Sequence, residues 1–221
     1  MSTATVSRVV AARFDSDAPD ALGPNGPGWA AAQSVEVPLE PTPLAAQPSA
    51  YVQAAWADRN HGVTPSARVA AALAGGVLRL RVRWKAPDPR PAITDNNVYA
   101  DGCAVMFPLD GKRAELQTMG DAARPIQAWH WRAGAPIPFV VTATGLGTTA
   151  RQPAPHGVAV EAAWAGGEWT VVFSRAQAGA GVPLRGGTST PLALAIWQGA
   201  AEERAGLASH TPGWLSLELP G

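Results

Sequence analysis

Residues 114–134, AELQTMGDAARPIQAWHWRAG, hold the side chains of this sequence best suited to chemistry. Met119 offers a thioether. That soft, polarisable group is adaptable filler in most β-cores, but it also serves as an axial ligand to haem iron. Gly120 beside it permits close backbone approach. Past Pro125 runs a strand-like segment in which Trp129 and Trp131 bracket His130. Imidazole is a nitrogen donor to metals, and indole rings can wall a flat apolar slot. Period-two alternation puts Ile126, Ala128 and His130 on one face and Gln127, Trp129 and Trp131 on the other. If the first face looks into a slot, His130 lies within one strand of Met119. If it looks outward, His130 is a surface histidine.

Other chemistries find no support. There is no Gly-x-Ser-x-Gly elbow, no His-Glu-x-x-His and no phosphate loop. GLGTTARQ is glycine-rich but falls between strands, with no helix to supply an anion-binding N-terminus. His61, His130, His156 and His210 are scattered, and the single Cys103 excludes a disulfide or a cysteine-based metal site within the chain. Asp95, Asp101 and Asp110 lie near one strand, and Asp95-Asn96-Asn97 reads as a turn or a weak oxygen-ligand cation site. A formal net charge of zero with 15% charged residues argues against a nucleic-acid partner, which would need a basic excess. No apolar run is long enough to form a transmembrane segment. The opening MSTATVSRVVAARFDSDAPD shows no apolar leader block, which read alone places the chain in the cytoplasm unless an exported partner carries it.

The elements that must position Met119 and His130 read as strands. The 221 residues suit one substantial core, and 23 glycines with 21 prolines favour many turns over long helices. SRVVAARF (7–14) is a first strand. Residues 15–50 form a long irregular arm with one short strand near Val35 and Val37, packed on its own chain or on a neighbouring subunit. Val69, Ala71 and Leu73, then Leu78, Leu80, Val82 and Trp84, alternate about Gly75-Gly76 and predict a hairpin. Arg79, Arg81, Arg83 and Lys85 share its other face, as a solvated stripe or a basic strip for carboxylates. Further strands are expected in 98–109, 125–131, the PFVVTATG segment, a second Gly-Gly hairpin in GVAVEAAWAGGEWTVVFSR, PLALAIWQG and GWLSLEL. Short helical turns fit SAYVQAAWADRN and QGAAEERAG. Many strands without β-α alternation predict an all-β sandwich, here a single domain spanning 1–221. Nine tryptophans suit its core, a cofactor wall or an interface.

The ordered segments DGCAVMFP, MGDAARPIQAWHWRAG, GGEWTVVFSRA, LALAIWQGAAEERAG and GWLSLELP resemble the haem-binding gamma subunit of ethylbenzene dehydrogenase and its group. That group includes dimethylsulfide dehydrogenase, selenate reductase and chlorate reductase, type II members of the dimethyl-sulfoxide-reductase molybdoenzyme family. The likeness runs from about Val98 to the C-terminus. It implies a DOMON-like antiparallel β-sandwich holding one haem b between its sheets. It also implies a periplasmic heterotrimer with a molybdopterin catalytic subunit and an iron–sulfur subunit, passing electrons to or from an external carrier such as a cytochrome c. The family's haem methionine falls on Met119, with Met106 as competitor. Its second ligand, a lysine, should fall between Gly206 and Trp214, where GLASHTPGW has none; the only lysines are Lys85 and Lys112. His210 stands in that stretch, so the resemblance suggests Met119/His210 ligation, with Lys112, His130 or loss of haem as rivals. Arg124 and Arg132 are candidates to pair the propionates, and Trp129, Trp131 and Trp197 to exclude water. The alternatives are a haem-free structural subunit of the same complex and a carbohydrate- or ligand-binding β-sandwich with exposed tryptophans.

Overall fold

The computed structural model describes residues 7–15 and 19–221, so residues 1–6, on which part of the leader reading rests, and residues 16–18 of the arm lie outside it. Alternating apolar residues build two facing layers. The first contains β4 (Ser66–Ala74), β5 (Val77–Lys85), β10 (Val158–Ala165) and β11 (Glu168–Ala176), in the order β10-β11-β5-β4. Both expected hairpins are present. Gly75, Gly76, Gly166 and Gly167 all have positive φ, which the two-residue turns require. The second layer runs β14 (Leu215–Glu218), β12 (Ser189–Trp197), β6 (Gly102–Pro108), β7 (Ile126–Arg132), β8 (Phe139–Ala143) and β9 (Ala150–Arg151).

One strand joins the layers. β1 (Arg8–Phe14) pairs with β14 through Arg8–Val10 and with β4 through Ala11–Phe14, both in parallel, whereas the other pairings are antiparallel. The result is one curled sheet of 14 strands folded as a sandwich. Its inner faces meet over Val69, Leu80, Trp84 and Phe173 on one side and Val105, Phe107, Trp129 and Ile196 on the other. Trp84, Trp131 and Trp169 form an aromatic cluster in this core, with Trp131 and Trp169 at 4.9 Å. Six of the nine tryptophans are buried, so the unusual tryptophan content serves mainly the core.

The arm wraps its own chain. Leu22 and Trp29 cover the outer face of the first layer against Ala70, Ala72 and Val172. The arm then supplies β2 (Val35–Pro38), antiparallel to β4, and β3 (Glu40–Pro41), which pairs with β13 (Ser209–His210) beside β12. A short helix, α1 (Ala50–Trp56), follows, its N-cap Ser49 accepting from Val52 N–H.

The basic stripe is built into the protein. Arg81 lies over the Trp29 ring at 4.7 Å, and Arg68 and Arg83 both pair with the buried Glu168, with Lys85 Nζ at 3.7 Å. Burial, then the charges of Arg83 and Arg68, pushes Arg81 down to about 10. Burial alone would raise the Glu168 carboxyl, but the hydrogen bond from Arg68 and the charge of Arg83 outweigh it and hold the group below the usual carboxylate range. A depressed carboxylate stabilises the fold above its unfolded pKa, and that contribution is lost as pH falls through the folded value. Glu168→Gln is therefore expected to cost about 2 kcal/mol at pH 7. The gap from wild type should close as pH drops below about 4, as followed by denaturant unfolding across pH.

Candidate functional site

Among the described residues, Trp84, Trp129, Trp131 and Phe107 fill the space between the layers where a flat ligand was expected. The expectation of a group held between the sheets is corrected accordingly. A cavity of about 760 Å³ lies instead on the outer face of the second layer. Its size suits a cofactor-sized ligand.

Small residues make its floor. Along one cross-strand row stand His210, Ala195, Ala104, His130 and Phe139, on β13, β12, β6, β7 and β8. The next row contributes Met106, Ala128, Val141 and Arg151, and another brings Trp197, Gly102 and Arg132 together. Central strands usually carry large β-branched or aromatic residues. Here Gly102, Ala104, Ala128 and Ala195 leave a flat, shallow bed. A Cβ on Gly102 would come within 3.2 Å of His130 Nε2 and 3.4 Å of the Trp197 ring. Walls come from five segments: the arm with α1 (Thr42 to Val52), the 93–100 segment, the 116–119 turn, the 146–151 loop and the 203–210 segment. The arm is pinned in place, since Thr42 Oγ1 and Gln47 Nε2 both donate to the Gly206 carbonyl, at 2.6 and 2.9 Å.

Met119 enters from a strained turn. Its φ is +59°, in the left-handed region, and its N–H donates to the Leu116 carbonyl at 3.1 Å. Such a conformation costs about 1–3 kcal/mol for a non-glycine residue and persists where neighbours impose it. Gly120 follows at φ +74°, and a Cβ there would lie 2.4 Å from the Arg124 carbonyl oxygen, so glycine is required. The side chain of Met119 is partly buried against Ala104, Met106, Leu116 and Ile126.

His210 is 4% exposed, and its Nε2 is buried without a hydrogen-bond partner, the nearest acid being Glu40 Oε1 at 3.8 Å. Burial pushes its pKa below the ordinary value against the opposing charge of Glu40, which leaves a neutral ring. His130 is neutral too: burial, then the charges of Arg132 and Arg151, pushes it down to about 4. Its ring packs on Trp197 at 4.9 Å. Glu203 also lines the cavity, but its carboxylate is engaged by the N–H groups of Val63 and Gln198, at 2.9 and 2.8 Å. Burial raises its pKa, with those N–H groups pulling against the rise.

The structure thus brings Met119, His210, His130, Arg132 and Trp197 to one cavity. Trp129 and Trp131 are not there. They alternate with His130 along β7 and point into the sandwich core, as period two demands. Arg124 is also elsewhere, donating from Nη1 to the Arg113 carbonyl at 3.3 Å within the 109–125 loop. Met106, the competing methionine, belongs to the floor. Lys85 and Lys112 do not line the cavity. Sequence reasoning missed Phe139, Arg151 and Gln47. Arg151 stands inside the GLGTTARQ stretch itself, where it pairs with Val141 of β8.

The fold is similar to that of solved β-sandwich structures. A carbohydrate binding module of family 9 from Caldicellulosiruptor kristjanssonii, solved with glucose, superposes with a TM-score of 0.54 at 10% identity, covering 97% of this chain and 96% of that one. That likeness is one of fold alone. Residues 26–157 match the family model described as Ethylbenzene dehydrogenase, and the chain belongs to that family. The matched span begins in the arm, ahead of the segments that carried the resemblance, and ends before the second hairpin. The chlorate reductase gamma subunit of Ideonella dechloratans is 34% identical over 149 residues, 66% of this chain and 62% of that protein. A candidate respiratory nitrate reductase heme subunit of Haloferax mediterranei is 26% identical over 186 residues, 83% of this chain and 63% of its own length. The chain therefore spans about three fifths of the curated relatives it matches. Among the described residues no helix is long and apolar enough to cross a membrane.

Proposed function

We propose that the cavity holds one haem b and that the chain is the electron-transfer subunit of a molybdopterin oxidoreductase complex. In that reading it relays electrons between an iron–sulfur subunit and an external carrier such as a c-type cytochrome, in the periplasm. One observation carries the proposal: a thioether and a buried imidazole with an unpartnered Nε2 line the same flat-floored cavity. Met119 and His210 are the residues that would hold the iron, and they suit it as a soft sulfur donor and a neutral nitrogen donor. The family membership and the names of the relatives support the same conclusion.

A bound haem b would supply one-electron transfer and nothing more. The chain's own part is to exclude water and fix the ligands. The Gly206-pinned arm roofs the bed, Trp197 closes one side with its Nε1 donating to the Ala205 carbonyl at 3.0 Å, and the strained 115–120 turn holds Met119 in place. No self-contained catalytic site is invoked. The substrate of the complex and the direction of electron flow belong to its other subunits.

The test is the absorption spectrum of the purified chain with haem added. Sharp α and β bands on reduction are expected. A folded, colourless preparation that refuses haem would leave the structural-subunit alternative in place. Met119→Ala should lower the reduction potential by on the order of 100 mV, within the roughly 0.8 V that axial ligands span, or turn the iron high-spin. An unchanged potential and spectrum would remove Met119 from the site.

A further inference from the structure

We propose that Arg132 and Arg151 form a carboxylate clamp that grips the acidic edge of the cavity's occupant and so fixes which way round it sits. The inference rests on the haem reading, the carboxylates being the two propionates. Both arginines line the cavity, on β7 and β9. Phe139 on β8 lies between them: it stands opposite His130, while its neighbour on the same face, Val141, stands opposite Arg151. Both guanidinium groups rest on its ring, Arg132 at 5.4 Å and Arg151 at 4.1 Å from the centroid. Their strands are two spacings apart, about 10 Å, so the ring is a common platform for two side chains that would otherwise repel.

This pair of charges has no counter-ion among the described residues. Among the described residues neither guanidinium forms an ion pair with a carboxylate, and Arg132 Nε is buried without a hydrogen-bond partner. Glu203, the acid that lines the cavity, is already held by two backbone N–H groups. His130 beside the pair is neutral and offers no compensation. Guanidinium binds carboxylate through paired, charge-assisted hydrogen bonds, and two uncompensated guanidiniums at one edge of an apolar bed match a flat molecule with two carboxylates on one side. Elsewhere the bed is apolar, with Met106, Leu116 and Ala128. The clamp therefore sets the carboxylates at the β8–β9 edge of the floor, away from His210 on β13 at the other edge.

The test separates the clamp from iron ligation by using metal-free protoporphyrin IX and its dimethyl ester, titrated into the full chain and followed by tryptophan quenching. The free acid is expected to bind at least about tenfold more tightly than the ester. Arg132→Gln with Arg151→Gln should erase that preference, and added succinate should not compete at concentrations far above the porphyrin. Equal binding of acid and ester by the wild type overturns the clamp and leaves the haem reading standing. Competition by succinate at low concentration overturns it in favour of a free-anion site. Failure to take up either porphyrin while iron protoporphyrin is taken up overturns the clamp and leaves the haem reading standing, whereas failure to take up iron protoporphyrin as well overturns both. The comparison of acid with ester in the wild type needs no variant, so misfolding cannot decide it.

Discussion

Replacing His210 with alanine is expected to lower haem affinity by more than about 100-fold, beyond what loss of an outer hydrogen-bond partner to a metal ligand costs. The measurement is a titration of the haem-free chain with haem, followed by absorption. The physical ground is the state of the ring. His210 is held between β12 and β3 in a two-residue strand, paired to Ala195 and Glu40. It is buried, neutral and unpartnered at Nε2. A buried nitrogen without a hydrogen bond is a cost that folded proteins rarely carry without a reason. Alanine removes no hydrogen bond at Nε2 and only the ring's bond with the Thr211 backbone, so the haem-free variant should lose no more than about 2–3 kcal/mol, from packing and that one bond. Haem binding and folding are thus predicted to separate. The rivals are separable as well. Lys112 sits outside the cavity on an exposed turn, so Lys112→Ala should leave affinity and spectrum alone. His130→Ala should keep an axial Met/His spectrum. If His130→Ala rather than His210→Ala abolishes the low-spin bands, His130 is the nitrogen ligand.

The parts of this fold legible in the sequence were those written in short-range periodicity. The Gly75-Gly76 and Gly166-Gly167 hairpins, the buried β6 and the alternating β7 follow from period two and from turn residues that accept positive φ, and the structure places each where those signals lie. The same alternation separates the tryptophans from His130. Residues 129 and 131 cannot share a face with residue 130, so the two tryptophans had to go to the core if His130 faced the cavity. What the sequence does not show is which side of a sheet a cavity occupies. Gly102, Ala104, Ala128 and Ala195 look like unremarkable small residues on three separate strands. Only the register β12-β6-β7 lines them up as a bed. The roof was hidden for a similar reason. Thr42 and Gln47 act on Gly206 across more than 150 positions, and no local pattern encodes such a contact. The family resemblance supplied Met119 and the vacancy where a lysine was expected. It could not supply Arg151, which lies in a glycine-rich loop that precedes no helix.

Asp101→Ala is expected to destabilise the chain by about 4 kcal/mol, the largest folding effect anticipated for a single side chain here. Asp101 is 1% exposed at the mouth of β6. Its Oδ1 accepts from Gly199 N–H at 2.8 Å; its Oδ2 accepts from Arg90 N–H at 2.8 Å and from Trp169 Nε1 at 2.7 Å. One carboxylate therefore ties together the turn after β12, the segment leading into β6 and a tryptophan of the opposite layer. Alanine leaves three donors without acceptors in a region that water does not reach, at about 1–3 kcal/mol each with incomplete additivity. Asparagine is expected to rescue only part, since its amide turns one acceptor into a donor facing other donors. For a chain of this length the alanine variant should melt roughly 8–16 °C lower. The effect should also reach the cavity. Gly199 leads into the turn that carries Glu203, Arg204 and Ala205 to its wall, and a loosened turn no longer presents the Ala205 carbonyl to Trp197 or the Gly206 carbonyl to the arm. Haem affinity should fall in Asp101→Ala even below its melting temperature, whereas Glu168→Gln, on the far face of the other layer, should lose stability without losing affinity. If both variants lose haem in proportion to stability alone, the Asp101 link from the sandwich core to the cavity wall is not what holds that wall in place.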